Sequence, residues 1–346
     1  MIATAAVWSG AEFTLTEIPV PSLGPGEVLV EVELATICGS DLHTVAGHRD
    51  TPVPTILGHE AVGRVVCAGR GVEVAVGQRV VWSVGTSCGT CRRCVRGAPQ
   101  KCATVRKYGH ERLDDAWNLN GALASHVHVV AGTTVVPVPE HLPAALLAPA
   151  GCATATVIGA ARRVGLVAHD AVAILGCGML GLTAVAYARD RGATSIVACD
   201  PDAARRRAAL RLGADVACAP VDLRTVVADR GADVVFEMSG HPSSVAAALD
   251  IVDIDGRVGL IGSVSPGPSV SIDPNLLVRR LTRIVGSHNY APVDLVEAVA
   301  FLGRTPVREQ LGNLVGPPTR LHAVESAFRS AQTGLHPRVA VDPARA

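Results

Sequence analysis

Aromatic residues are scarce in this chain, making up 3% of 346 positions (3 Trp, 3 Tyr and 4 Phe), and there are only 3 Met. Any core must therefore be filled mainly by Ala, Val, Leu and Ile. Net charge is missing as well. Lys+Arg and Asp+Glu number 31 each, so no basic field points to nucleic acid or to an anionic membrane. No uninterrupted apolar run reaches about 18 residues, so no transmembrane helix is expected. The first residues, MIATAAVWSGAEFTLTEIPV, lack a basic opening and a long apolar stretch. They predict no signal peptide and a cytoplasmic location. Cysteine, by contrast, is plentiful: there are 10. Without an export signal, clustered cysteines point to metal or chemistry rather than to disulfides.

A length of 346 residues exceeds one typical core, so two domains are expected. A hydrophobic content of 49% and a mean hydropathy of +0.34 describe an ordered globular protein. The first half reads as short strands broken by Gly and Pro: Val28–Leu34, Glu60–Val66, Arg79–Trp82 and Ala124–Val130. Ala144–Ala161, rich in Ala and Leu, reads as helix. From Ala171 the rhythm becomes strand, helix, strand. Ala171–Leu175, Ser195–Cys199, Val216–Ala219, Asp233–Glu237, Arg257–Ile261 and Arg283–Gly286 are the strands. Leu180–Asp190, Pro201–Leu212, Ser243–Val252 and Val293–Phe301 are the helices. Such alternation with continuous apolar strands predicts an α/β fold with a doubly wound parallel sheet. The tail from Leu311 reads as irregular.

Three groups of residues carry chemistry. Cys38 and His59 are two of the three protein ligands expected for a catalytic zinc, which keeps a fourth position open. Cys152 is the candidate third ligand, which would place the metal between the two domains. Ser40 and His43 could carry a proton away from it. Cys88, Cys91, Cys94 and Cys102 lie in one short lobe with spacing that closes a tetrahedron around a second, structural zinc. Gly176, Gly178 and Gly181 form a Gly-x-Gly-x-x-Gly turn between strand and helix, and Asp200 ends the next strand about 20 residues on. That pattern holds a dinucleotide pyrophosphate on a helix N-terminus, and Asp200 accepts from the adenosine ribose. The acid favours NAD over NADP, although Arg205 and Arg206 stand where a 2′-phosphate could be met. Cys67, Cys177, Cys199 and Cys218 read as small buried hydrophobes. His48, His110, His126, His128 and His169 read as structural or surface residues.

Taken together, Cys38–His43, Gly58-His59-Glu60, the four-cysteine lobe, Cys152 and Gly176–Gly181 resemble the medium-chain, zinc-dependent alcohol dehydrogenases, nearly end to end. The resemblance implies a mostly-β GroES-like catalytic domain at 1–152 and 305–346, with its zinc lobe at about 85–105, and a Rossmann domain at 153–304. It implies two zinc ions per chain, NAD, a small alcohol or carbonyl substrate, and a homodimer or homotetramer. By position, Cys38, His59 and Cys152 bind catalytic zinc, Glu60 lies close enough to serve as an alternative ligand, and Asp41 orients His59. Ser40 takes the alcohol proton and His43 passes it on. Thr156 and Leu180 pack on or near the nicotinamide, and Arg338 reaches the cofactor pyrophosphate. A narrower likeness, in Arg106–Glu111, Pro149–Thr156 and His288–Pro292, is to a subgroup associated with phosphonate metabolism. An anionic substrate needs basic groups near the zinc; Arg49, Arg106 and Lys107 are the candidates. Polyol, sugar and amino-alcohol dehydrogenases of the same fold are the alternatives, and a non-catalytic NAD-binding protein is the reading from another class.

Overall fold

A computed structural model describes residues 1–228 and 231–344. They form two compact units. The first comprises Met1–Cys152, Ala291–Gly303 and Gly312–Ala346, and the second Ala153–Tyr290 and Arg304–Leu311. The helix Pro292–Arg304, which the sequence places with the nucleotide-binding stretch, groups almost entirely with the first unit.

The first unit is mostly strand. Its larger sheet runs Val315–Arg320, Arg338–Asp342, Val28–Ile37, Glu60–Ala68, Arg79–Thr86 and Thr133–Pro137, with His126–Val129 also on Val28–Ile37. In Val28–Ile37 the alternation turns Glu31 and Glu33 outward while Val28, Leu29, Val30 and Val32 are buried. A smaller sheet orders Phe13–Pro19, Ile2–Trp8 and Thr55–Ile56. The scarce aromatics are concentrated here: Trp8, Trp82, Trp117 and Tyr108 all lie in the core of this unit. Large flat side chains thus fill the space between sheets whose strands offer mainly Val and Ala.

The second unit carries a six-stranded parallel sheet ordered Val216–Cys218, Ser195–Cys199, Ala171–Leu175, Ala232–Glu237, Val252–Leu260, Arg283–Gly286. This is the doubly wound arrangement read from the sequence. Chain order reverses around Ala171–Leu175, the place where open α/β sheets bind ligands beyond the strand ends.

Three expectations need correction. The tail is not irregular: Val315–Arg320, Val324–Gln332 and Arg338–Asp342 are strand, helix and strand. Pro317 and Pro318 hid the first strand, and they sit at its register shift between Gly316 and Thr319, where no ladder donor is needed. Ala144–Ala161 is not one helix. Pro149 and Gly151 turn Ala148–Gly151 into a 3-10 segment, and a new helix, Ala153–Val164, follows Cys152. Cys67 is exposed, because strand alternation turns it outward; Cys177, Cys199 and Cys218 are buried as expected. Among the described residues no single helix is long and apolar enough to cross a membrane.

Candidate active site

The first cluster is assembled at the ends of three neighbouring strands. Val28–Ile37 leads into Cys38, which caps the short helix Gly39–Val45. Asp41, in the first turn of that helix, accepts from the Cys38 amide at 2.9 Å and from the Gly58 amide at 3.4 Å. Its carboxylate also stands 3.5 Å from His59 Nδ1, so one buried acid locks both loops and orients the imidazole. Glu60 opens the adjacent strand opposite Thr36. The donor atoms of Cys38, His59, Glu60 and Cys152 all lie within 4.8 Å of one another.

This donor set fits zinc. Cys38 is held well below its ordinary value, first by the hydrogen bond from Cys152 and then, against burial, by the Arg338 charge. Cys152 is pushed well above, by that same bond to Cys38 and by burial. Two thiols therefore compete for one proton, a place where a divalent ion is the natural substitute. His59 is raised as well: burial opposes its charge, and Asp41 overrides the burial. Ser40 Oγ lies 3.4 Å from His59 Nε2, while His43, one turn further along the helix, is exposed.

Glu60 is turned away from a ligand role by its partners. Arg338 donates to both of its oxygens, Nε at 2.7 Å and Nη2 at 2.8 Å, and Thr36 Oγ1 donates at 2.6 Å. Burial pushes its carboxyl up and Arg338 opposes this. Arg338 Nη2 also donates to Cys38 Sγ at 3.2 Å. Here the structure departs from the sequence reading. Arg338 is buried in the metal cluster of the first unit, because Arg338–Asp342 pairs with Val28–Ile37, and both its forked nitrogens are taken. It is not free to grip a pyrophosphate.

The four-cysteine lobe is a second donor set. Its sulfurs lie 3.5 Å (Cys91 to Cys94), 4.0 Å (Cys88 to Cys94) and 4.0 Å (Cys91 to Cys102) apart. Zinc–sulfur bonds of about 2.3 Å in a tetrahedron place sulfurs about 3.8 Å apart. The Cys91 amide donates to Cys88 Sγ, which draws that thiol down to about 5, and the Cys88 amide donates to Cys102 Sγ. Cys94 is pushed up to about 12 by desolvation and its bond to Cys91. Most side chains of this lobe are exposed, Val95 included, so a metal rather than an apolar core is what can order it.

In the second unit, Gly176 (φ +95°) leads the chain from Ala171–Leu175 to the helix Met179–Asp190, which Gly178 caps. A Cβ on Gly181 would stand 1.8 Å from the Gly176 carbonyl oxygen, and nothing lies within 4 Å of one on Gly178. The first demands close helix–strand packing; the second leaves the helix N-terminus open to a phosphate. Buried Asp200 braces the turn, accepting from the Cys177 amide at 2.7 Å and the Asp202 amide at 2.8 Å. Gly176, Gly178, Asp200, Arg205, Ser239 and His241 line a cleft of about 480 Å³. Arg206 is occupied by the carbonyls of Asp200 and Pro201. Leu180 and Thr156 are half-buried on their helices, outside the lining of this cleft.

Comparison with known proteins agrees with both units. Residues 24–140 match the alcohol dehydrogenase GroES-like domain and residues 180–304 the zinc-binding dehydrogenase domain. The chain belongs to the zinc-dependent medium-chain alcohol dehydrogenase family. The L-threonine 3-dehydrogenase of Pyrococcus furiosus is 36% identical over 284 residues, 78% of this chain and 76% of that one. An alcohol dehydrogenase from Thermotoga maritima superposes with a TM-score of 0.93 at 27% identity, covering 99% of each chain. A zinc-binding dehydrogenase from Sinorhizobium meliloti, solved with NADP, gives 0.88 at 28% identity over 99% of this chain and 100% of that one.

The three basic candidates of this dehydrogenase separate in the structure. Arg106 lies over the Trp117 ring, 4.4 Å from its centroid, and so stacks on an aromatic of the core. Lys107 and Arg49 act together: burial and the Arg49 charge both draw the Lys107 ammonium down. Both also bear on His110, whose ring centroid is 5.0 Å from that of His59. The sequence reads His110 as structural or surface, and the structure sets it beside His59. Gly58-His59 and Gly109-His110 are two of four Gly-His dipeptides in the chain, so the dipeptide alone does not mark the pair. Both glycines have positive φ, and a Cβ on Gly109 would stand 2.7 Å from the Gly58 carbonyl oxygen.

Proposed function

We propose that this chain catalyses the reversible, NAD-linked oxidation of a small alcohol bearing an anionic group to the corresponding aldehyde or ketone. The observation carrying this reading is the convergence of Cys38, His59 and Cys152 beside a serine hydroxyl, with Glu60 held back by Arg338. Those three residues would hold a catalytic zinc, which would supply a Lewis acid that polarises a substrate oxygen and lowers its pKa. The glycine turn and Asp200 would hold NAD, which would supply the hydride acceptor.

The chain's own residues do the rest. Asp41 fixes the His59 ring so that Nε2 faces the metal. Ser40 Oγ, next to that nitrogen, takes the substrate's hydroxyl proton, and exposed His43 passes it to water. His43→Ala is expected to lower kcat about tenfold, with partial recovery in concentrated imidazole buffer. An unchanged kcat would remove His43 from the proton path. Asp200 faces the cleft with a buried carboxylate that repels a 2′-phosphate, which supports NAD; Arg205 on the same lining moderates the preference.

Lys107 and Arg49 near the cluster support an anionic substrate such as a hydroxyalkylphosphonate. Likeness to an L-threonine 3-dehydrogenase supports an amino alcohol as the second reading, and threonine too carries a carboxylate. Following NADH absorbance with 2-hydroxyethylphosphonate, L-threonine, sorbitol and 2,3-butanediol, alongside bound zinc, tests both. Two zinc ions per chain and turnover of an anionic alcohol are expected. One ion per chain and no turnover would favour a binding-only protein. A homodimer or homotetramer in the cytoplasm, where thiols stay reduced, completes the proposal.

A further inference from the structure

We infer that His110, together with Arg49 and Lys107, forms the subsite that grips the substrate's oxyanion, the carboxylate or phosphonate carried next to its reacting hydroxyl. The inference rests on the dehydrogenase reading and names the residues that set its substrate class. Its basis is a built arrangement. The Gly58 and Gly109 turns pack backbone against backbone with no room for a Cβ between them, and so fix His110 against the metal ligand His59. Gly109 is tied further by its amide to the Asn120 carbonyl at 2.8 Å, and His110 by its amide to the Lys107 carbonyl at 3.3 Å.

In this rigid setting His110 Nδ1 is buried and has no hydrogen-bond partner. An unsatisfied buried polar atom beside a reaction centre is suited to a ligand, since leaving it unpaired is costly. Positive charge bears on the same ring from His59, Arg49 and Lys107, with Cys38 opposing. Around Lys107 stand a further cation, Lys101, and one carboxylate, Glu111, which accepts from the Lys107 amide at 2.9 Å. Arg49 and Lys107 give this corner a basic character suited to an anionic group. An oxyanion can accept from His110 in its Nδ1–H tautomer and offset both cations, whereas a neutral diol brings no charge to meet Arg49 and Lys107. None of the three is needed for the metal, the proton path or the nucleotide.

Two readouts test this on the zinc-loaded protein with NAD present. Calorimetry with ethylphosphonate, which has no hydroxyl to oxidise, measures the subsite without turnover. The ratio of kcat/KM for 2-hydroxyethylphosphonate to that for 2,3-butanediol measures it during turnover. In His110→Ala and Lys107→Met, ethylphosphonate affinity and that ratio are both expected to fall roughly 10- to 100-fold, the range for a hydrogen bond to a charged group. His110→Asn, which keeps an amide N–H near the Nδ1 position, should recover part of the loss. No ethylphosphonate binding by the wild type overturns the inference. So does an equal fall on both alcohols with zinc retained, or loss of the catalytic zinc in His110→Ala, which would make the ring a brace for His59. Butanediol turnover without ethylphosphonate binding defeats the subsite alone. His110-dependent ethylphosphonate binding without oxidation of any alcohol defeats the dehydrogenase reading and leaves the oxyanion site standing.

Discussion

Replacing Cys38 with Ser is expected to lower kcat by about a thousandfold or more and to reduce bound zinc from two ions per chain to one. Cys38 is the sulfur on which the cluster converges: its amide is held by Asp41, and its Sγ meets Cys152 and the Arg338 guanidinium. A serine hydroxyl at that position does not deprotonate near neutral pH and so offers a far weaker ligand. Losing a Lewis acid removes several kcal/mol of charge stabilisation, and each 1.36 kcal/mol is a factor of ten in rate. NAD affinity should stay close to the wild-type value, since the glycine turn and Asp200 belong to the other unit. Metal analysis, NAD fluorescence titration and NADH formation check the three parts separately. Retained turnover in a Cys38→Ser protein shown to lack the catalytic ion would sink the assignment.

The second large effect belongs to Arg338. Arg338→Leu leaves the Glu60 carboxylate fully buried without its cation, and breaking one partner of such a pair destabilises by about 3–5 kcal/mol. A lowered urea midpoint is the expected readout. The double variant Arg338→Leu, Glu60→Leu should recover part of the loss, since removing both charges strands neither. If Arg338 instead served the cofactor, its loss would weaken NAD binding while leaving the unfolding midpoint in place. That outcome would overturn the arrangement described here.

Local patterns made most of the parallel sheet legible. Continuous apolar strands and a glycine turn followed by an acid are periodic, short-range features, and they placed Ala171–Leu175, Ser195–Cys199 and Asp200 correctly. The cysteine spacing was equally local, and the lobe's sulfurs do lie at tetrahedral separations. What escaped the sequence was contact between distant segments. Arg338 meets Glu60 across 278 positions, and nothing near either residue announces the other. The strand that delivers Arg338 pairs with Val28–Ile37, while two prolines in its neighbour Val315–Arg320 disguise that part of the tail. His110 was missed for a related reason. A single histidine has no spacing to argue from, and its place beside His59 follows from two glycine turns that pack together only in the folded chain.

The strand Arg338–Asp342 also has a consequence in time. Cys38 and Arg338 are separated by 300 positions, so a ribosome makes the thiol long before the guanidinium that donates to it. A chain lacking Arg338 would leave the Glu60 carboxylate without that cation, beside Cys38 and His59. With the strand paired between Val28–Ile37 and Val315–Arg320, Arg338 holds both Glu60 oxygens, and sulfur and nitrogen are the donors left for an ion. The strand Arg338–Asp342 thereby decides which donors of the cluster are free for a metal.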